Sequence, residues 1–310
     1  MMSTFESNFD PVTWLKQFKD ASLKGDGFRE LRAEIFQGTI NYVRSGMYKI
    51  GENFISIPNQ ALNESTVLYE CPPHLVSIST PNQTKFSVIG AECIETGELL
   101  SKAGYKPCIL NMASEQNPGG GVIHGAGAQE ENIFRRSNMF ISLYQFVDYC
   151  FHYGIDRSTY SYPLDSRTGG IYSSGITVFR GSENTGYCLL ETPFKLDFVT
   201  VAAFNRPETE MIDGEQKLVS SVIEPTKEKI RTILRIAGTF NNDCLVLGAF
   251  GCGAFHNPPG HVASLFKSVF QEDEFINIFK LVVFSILENH NSFHEHNPEG
   301  NLIPFLKVFQ

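Results

Sequence analysis

The chain has 310 residues, 42% of them apolar and 19% charged, which suffices for a real core and argues against disorder. Its formal net charge of −9 disfavours a nucleic-acid binder that needs a basic footprint, yet leaves room for an anionic ligand held by backbone amides. The seven cysteines show no CxxC or metal spacing, and their odd number argues against a disulfide-stapled secreted scaffold. Met1–Asp20 lacks the apolar core of a signal peptide, and no run approaches the roughly 20 apolar residues of a membrane span. The expectation is a protein of a reducing compartment, cytoplasm or nucleus, with no membrane partner and no sequence-specific nucleic acid. Phenylalanine is frequent, at 26 residues, so part of the core or a cleft should be aromatic.

Residues 1–75 read as an N-terminal helical extension. Leu31, Ile35, Tyr42 and Val43 fall at roughly helical spacing over Phe28–Arg44. Pro58, Pro72 and Pro73 break the stretch after it, and a lead-in strand is expected near His74–Ser79. Residues 76–310 form the remaining domain, expected to make one compact unit with the extension. Here strand-like and helix-like runs alternate. Phe86–Cys93, Lys106–Ala113, Gly170–Phe179, Phe194–Phe204, Cys244–Phe250 and Phe279–Leu287 read as strands. Ile94–Ala103, a long stretch over Ala128–Phe151, Lys227–Ala237 and His261–Phe270 read as helices, and 205–222 as a polar loop. Such alternation argues for an α/β fold, a mostly parallel or mixed sheet with helices on both faces.

Two glycine-rich loops come after predicted strands. Gly119–Gly121 is a triple glycine, and Gln129, Glu130 and Glu131 stand eight to ten residues beyond it, where a helix begins. Gly248–Phe255 comes directly off Leu245–Leu247. Neither loop is a P-loop or a dinucleotide fingerprint. Ligands in open α/β sheets bind at the carboxyl ends of strands, so the two loops could clamp the two phosphates of a pyrophosphate. Plainer readings stand beside this one. Triple glycine is also an ordinary tight turn, and Gln-Glu-Glu suits any first helical turn. Phe250 reads as core, Arg135 and Arg136 as structural ion-pair partners, and His124 and His256 as exposed neighbours of turns.

The run Leu110–Val122, then Gly125–Glu131 and Arg135–Ser137, resembles the microbial-type poly(ADP-ribose) glycohydrolases, as does Leu245–Pro258 with Val262, Ala263 and Phe266. The similarity covers roughly residues 30–290. It implies a macrodomain fold, a three-layer α/β/α sandwich with a mixed central sheet and a helical N-terminal extension. It also implies hydrolysis of ribose–ribose O-glycosidic bonds in poly(ADP-ribose) or on ADP-ribosylated proteins, with ADP-ribose released. Glu131 would be the catalytic acid, Glu130 would hold a ribose hydroxyl beside the cleaved bond, and Gln129 would orient the acids. Gly119, Gly120, Gly121 and Val122 would line the pyrophosphate and distal ribose. Gly251, Cys252, Gly253 and Ala254 would form a second phosphate loop, and Phe255 would pack near the distal ribose. Asn205 matches a position near the nucleotide, although Phe204 replaces the proline usual before it. Asn111–Ser114 resembles the glycohydrolase pattern more than that of simple reader macrodomains.

A glycosidic bond needs protonation of its leaving oxygen and stabilisation of an oxocarbenium-like centre. One carboxyl can give that proton and later take one from water. Adjacent helical residues lie about 100° apart, so both acids can edge one cleft only at a helix end. Phosphates held by amides require no lysine, and no metal or other cofactor is expected. A mono-ADP-ribosyl hydrolase and a non-catalytic ADP-ribose-binding module remain alternatives.

Overall fold

The computed structural model describes residues 9–58, 65–75 and 83–310. In chain order it has α1 (Pro11–Lys24), α2 (Phe28–Ser45), β1 (Met47–Ile50), β2 (Asn53–Ser56), β3 (Thr66–Tyr69), β4 (Lys85–Ile89), α3 (Cys93–Lys102) and β5 (Pro107–Met112). A 3-10 turn over Val122–His124 leads to α4 (Gln129–Arg136) and α5 (Met139–Tyr144). Next come β6 (Gly170–Arg180), β7 (Leu189–Val201), β8 (Thr209–Ile212), β9 (Glu215–Leu218) and α6 (Ser220–Thr239). The chain closes with β10 (Cys244–Leu247), α7 (Pro259–Phe270), β11 (Leu281–Ser285) and α8 (Leu302–Phe309). Among the described residues no helix is long and apolar enough to cross a membrane.

Three expectations are corrected. The long helix over Ala128–Phe151 is interrupted: Ser137 turns extended to bridge Val178, and the Asn138 side chain accepts from Thr177 N–H at 2.8 Å. Periodicity carries no information about such tertiary pairing. The polar stretch 205–222 holds the β8–β9 hairpin, turned by Asp213 and Gly214 at φ 54° and 81°, the Asp-Gly signature of a type I′ turn. The extension is not only helical, since β1 and β2 form a hairpin and β3 joins the main sheet. The lead-in strand expected near His74–Ser79 falls largely outside the described residues, and His74 and Leu75 are not in a strand.

By its contacts the chain divides into two units, and the division does not track a boundary at residue 75. One unit takes the described residues of Thr66–Gln116, Tyr162–Ser174 and Leu196–Gln310. Its sheet has the order β3-β6-β7-β5-β10-β11-β4, to which β6 and β7 bring their 170–174 and 196–201 portions. β7, β5, β10, β11 and β4 run parallel, and β3 pairs antiparallel with β6. The two-residue period of a strand assigns the faces. Cys108 and Leu110, Val199 and Val201, Leu245 and Leu247, and Val282 and Phe284 share one core with Ile233 of α6, Phe266 of α7 and Phe305 of α8. Ile109 points the other way, so close to Gly97 of α3 that a Cβ there would meet its Cδ1 at 2.5 Å. Helices cover both faces, the three-layer arrangement. Burial on both faces is why Cys108–Leu110 of β5 and the whole of β10 read as apolar runs. The loops after β5, β7 and β10 leave the same, carboxyl edge.

The other unit takes the described residues of Met1–Ser65, Asn117–Ser161 and Gly175–Lys195. Asp10 caps α1 by accepting from Thr13 N–H at 3.0 Å, Pro11 opens the helix, and Gly25 at φ 73° ends it. Trp14 stacks on Phe18 at 4.9 Å, meets Tyr187 edge-on at 5.2 Å and donates its Nε1–H to Leu31 C=O at 3.2 Å. Arg180 is 1% exposed. It donates to Thr39 Oγ1 and Tyr187 C=O, each at 3.0 Å, and its burial brings its pKa down to about 10.

Glu274 gives a pH test of the sheet unit. It accepts from Arg235 Nε at 2.8 Å and Leu75 N–H at 3.0 Å, with His74 Nδ1 2.9 Å away. Burial alone would raise its carboxyl, but the bonds from Arg235, His74 and Leu75 bring it down to about 2 from an ordinary 4.5. A depressed carboxyl stabilises above its unfolded pKa, and the contribution disappears as pH falls through the folded value. Glu274→Gln should therefore lower Tm at pH 7, with a gap to the parent that narrows from pH 4.5 towards pH 2. Thermal melts showing a constant gap would contradict this.

Candidate active site

The segment Asn117–Val122 is wound into consecutive tight turns: Gly120 N–H donates to Asn117 C=O at 2.9 Å, and Val122 N–H to Gly119 C=O at 3.0 Å. Gly119 and Gly120 have φ of 80° and 53°, in the left-handed region that favours glycine. The two acids then lie in the first turn of α4, where the exposed amides and helix dipole suit carboxylates. They reach back over the glycines. Glu130 Oε1 accepts from Gly119 N–H at 3.0 Å, and Glu131 Oε1 from Gly121 N–H at 2.9 Å. Gly120 sits between them: a Cβ there would lie 2.5 Å from Glu131 Oε1 and 3.3 Å from Glu130 Oε2. Only glycine lets both carboxylates converge on this backbone. Gly119 is crowded in turn by the Phe134 ring, 2.6 Å from where its Cβ would be.

Glu130 and Glu131 are 3% and 7% exposed. Glu131 Oε2 is buried with no hydrogen-bond partner among the described residues. The site therefore holds one anchored and one uncommitted oxygen on the same carboxylate, the disposition a proton donor needs.

This geometry corrects one expectation. The triple glycine reads from sequence as a cradle of amides for a pyrophosphate, but its three N–H groups already serve Glu130, Asn117 C=O and Glu131. What these glycines supply is close approach to the backbone. Val122 is fully buried, so its side chain belongs to the core, while Gln129 is half-buried and His124 exposed.

In the sheet unit, Asn205 and Gly251–Phe255 are brought together at the carboxyl edge. Arg206 N–H donates to Phe255 C=O at 2.8 Å, and the Asn257 amide donates to the carbonyls of Phe204, Gly251 and Phe255 at 2.8, 3.1 and 3.2 Å. Gly251, at φ 74°, lies so near that a Cβ would meet those of Ala203 and the Asn257 amide at 2.6 Å. Cys252 is fully buried in the sheet core, and burial pushes its thiol far up, so only its backbone faces this edge. Among the described residues, the amides of Gly253, Ala254 and Phe255 make no hydrogen bond, which leaves three donors on one short loop. Phe255 is half-buried against the core, and Phe250 is fully inside it.

Sequence reasoning missed several participants. Asn257 pins both loops of the sheet unit, and His296 stacks on His256 at 4.3 Å while its Nε2 bonds to Cys252 C=O at 2.8 Å. His256 is held below the usual histidine range by burial, then by His296, Arg206 and His294. Arg135 donates to the Tyr187 hydroxyl and Ala126 C=O, and Arg136 donates to Arg180 C=O, so both have structural partners. Only the adjacency of Asn257 to the glycine loop offered a signal in the sequence.

Comparison with known proteins matches residues 37–181 to the family described as microbial-type PARG, catalytic domain. A poly(ADP-ribose) glycohydrolase from Thermomonospora curvata is 28% identical with a TM-score of 0.70, over 90% of this chain and 99% of that one. The same enzyme bound to the inhibitor ADP-HPD is 27% identical with a TM-score of 0.68, over 89% and 98%. The chain is thus similar to the microbial-type poly(ADP-ribose) glycohydrolases in sequence and in fold. The Deinococcus radiodurans glycohydrolase in complex with ADP-ribose is 25% identical with a TM-score of 0.61, over 83% of this chain and 99% of that one. Curated proteins gave no match. The family match contains the triple glycine and both acids, and it ends before the Gly248–Phe255 loop.

The convergence on Gly120 predicts a stability effect separable from backbone strain. Gly214 has φ 81° and open space around it, whereas Gly120 combines φ 53° with the Glu131 carboxylate. Strain alone costs about 1–2 kcal/mol for a non-glycine residue. Gly120→Ala should lower Tm by clearly more than Gly214→Ala; equal shifts would mean the carboxylates do not crowd Gly120.

Proposed function

We propose that this chain hydrolyses the ribose–ribose O-glycosidic bonds of poly(ADP-ribose) and releases ADP-ribose. The match of residues 37–181 to the microbial-type glycohydrolase family, with the likeness to solved glycohydrolases, supports the reaction, and the uncommitted, buried Oε2 of Glu131 is the observation that carries the residue roles. In this reading Glu131 protonates the leaving ribose oxygen through Oε2 as the C–O bond breaks. An oxocarbenium-like centre develops, water adds to it, and the Glu131 carboxylate takes up the proton that water releases. Glu130 holds a ribose hydroxyl beside the scissile bond, and Gln129 orients the pair. Gly119–Val122 bring the backbone close to the sugar and pyrophosphate. The amides of Gly253, Ala254 and Phe255 take phosphate oxygens, with Gly251 and Cys252 shaping that loop. Phe255 lies against the distal ribose and Asn205 near the nucleotide.

Labelled poly(ADP-ribose) incubated with the protein should yield free ADP-ribose. Binding without release would favour a binding module, and release only from mono-modified protein would favour a mono-ADP-ribosyl hydrolase. Glu131→Gln keeps the bond to Gly121 N–H available through its carbonyl oxygen, so it should fold and bind ADP-ribose. Its kcat should fall about 10²–10⁴-fold, the usual scale for loss of a general acid. A kcat within tenfold of the parent would remove Glu131 from that role.

Phe255→Ala separates packing from positioning. A fully buried phenylalanine cut to alanine costs about 3–5 kcal/mol, but this ring is only half-buried. The expected result is a small fall in Tm with kcat/KM reduced at least tenfold, because the scissile sugar loses its orientation. A large fall in Tm with near-parental kcat/KM below it would make the ring purely core.

A further inference from the structure

The last turn of α4 folds back on the segment that opens the helix. Arg135, 1% exposed, donates Nη1–H to Ala126 C=O at 2.7 Å, three residues before Gln129, and Nε–H to the Tyr187 hydroxyl at 2.8 Å. That hydroxyl donates to Glu183 Oε2 at 3.1 Å. Glu183 is gripped by both arms of Arg32 of α2, Nε to Oε2 at 2.6 Å and Nη2 to Oε1 at 2.8 Å. The Arg32 guanidinium lies directly against Gly127, and Arg29 C=O directly against Gly125, where no Cβ could fit. Four segments of one unit thus close a circuit around residues 125–128. The circuit uses two cations, one carboxylate and one phenol, with the planar bidentate grip that arginine alone provides. None of the four side chains hydrogen-bonds to Glu130 or Glu131, yet the backbone they clamp runs straight into Gln129–Glu131.

We propose that Arg32, Glu183, Tyr187 and Arg135 are positioning residues for the two acids: they fix the entry of α4, and so the seating of both carboxylates over the triple glycine. The inference rests on the hydrolase reading. A buried circuit that merely stabilised the fold would have no reason to end on Ala126 C=O and Gly127, the backbone immediately ahead of the acids. A displacement of about 1 Å at a reacting group is enough to cost 10²-fold in rate. The glycines at 125 and 127 fit this role, since each lets an arginine-bearing stretch of α2 approach the loop backbone closely.

Tyr187→Phe is the test, because it keeps the ring that packs on Trp14 and removes only the hydroxyl joining Arg135 to Glu183. Two readings are taken together with the affinity for ADP-ribose: kcat on poly(ADP-ribose), and hydrogen exchange at the Gly119 and Gly121 amides, whose acceptors are the two carboxylates. The expected result is a kcat at least tenfold lower and exchange at least tenfold faster at both amides. ADP-ribose affinity should stay within fivefold of the parent and exchange in α6 unchanged. Unchanged kcat, unchanged exchange at Gly119 and Gly121, or a loss of affinity in step with kcat would each overturn the proposal. If the parent itself releases no ADP-ribose, the hydrolase reading fails, and the exchange comparison alone decides the positioning. Should Tyr187→Phe not fold, Glu183→Gln, which keeps an acceptor for the tyrosine and removes the charge, is judged by the same measurements.

Discussion

Two amide-to-carboxylate hydrogen bonds, Gly119 to Glu130 and Gly121 to Glu131, are the constraint on which the acid-bearing unit turns. They require a backbone with φ of 80° and 53° in succession, so they require glycine. They require the acids at a helix N-terminus, where adjacent residues can both reach back instead of diverging along the helix. Each bond to a charged group is worth about 1.5–3 kcal/mol, which offsets part of the cost of burying two carboxylates side by side. Take away the Gly121 N–H and the Glu131 carboxylate is left in the interior without that donor. The motif reads as one object for this reason: the spacing of glycines and acids is set by a closed hydrogen-bonded loop.

The two glycine loops solve different problems, although they look alike in sequence. The triple glycine spends its amides inside the protein. The Gly251–Phe255 loop keeps those of Gly253, Ala254 and Phe255 uncommitted, with its carbonyls tied down by Asn257 and Arg206. Anchoring carbonyls while sparing amides turns a loop into a field of donors, which suits an anion on a protein of net charge −9. Strain is stored at this edge as well, since Arg206 and His256 both hold φ above 50° without being glycine.

Much of the sheet unit was legible because burial on two faces writes itself into a strand as an apolar run, as in Cys108–Leu110 and Cys244–Leu247. The acids and glycines were legible as a motif. What could not be read was the direction of each hydrogen bond, so the triple glycine looked like a phosphate cradle when its donors face inward. Ser137 and Asn138 break the expected helix through partners on β6 some 40 residues away, which no local period reports. The β8–β9 hairpin was hidden for a different reason: its residues are mostly exposed, so alternation is absent and only Asp213-Gly214 marks the turn.

The same logic explains why the acids sit on so short a helix. α4 has eight residues, too few for a helix to be stable by propensity. Its order must come from what holds its ends. At its start the carboxylates are bound by the glycine amides, and at its finish Arg135 reaches back to Ala126 while Ser137 leaves to pair with Val178. A longer helix would carry its own stability and could drift as a rigid rod. A short one pinned at both ends takes its position from its neighbours, and Glu131 Oε2 is left as the buried oxygen of that carboxylate without a partner. An unsatisfied buried acceptor costs about 1–3 kcal/mol, a cost the fold carries at the point where a proton must be given away.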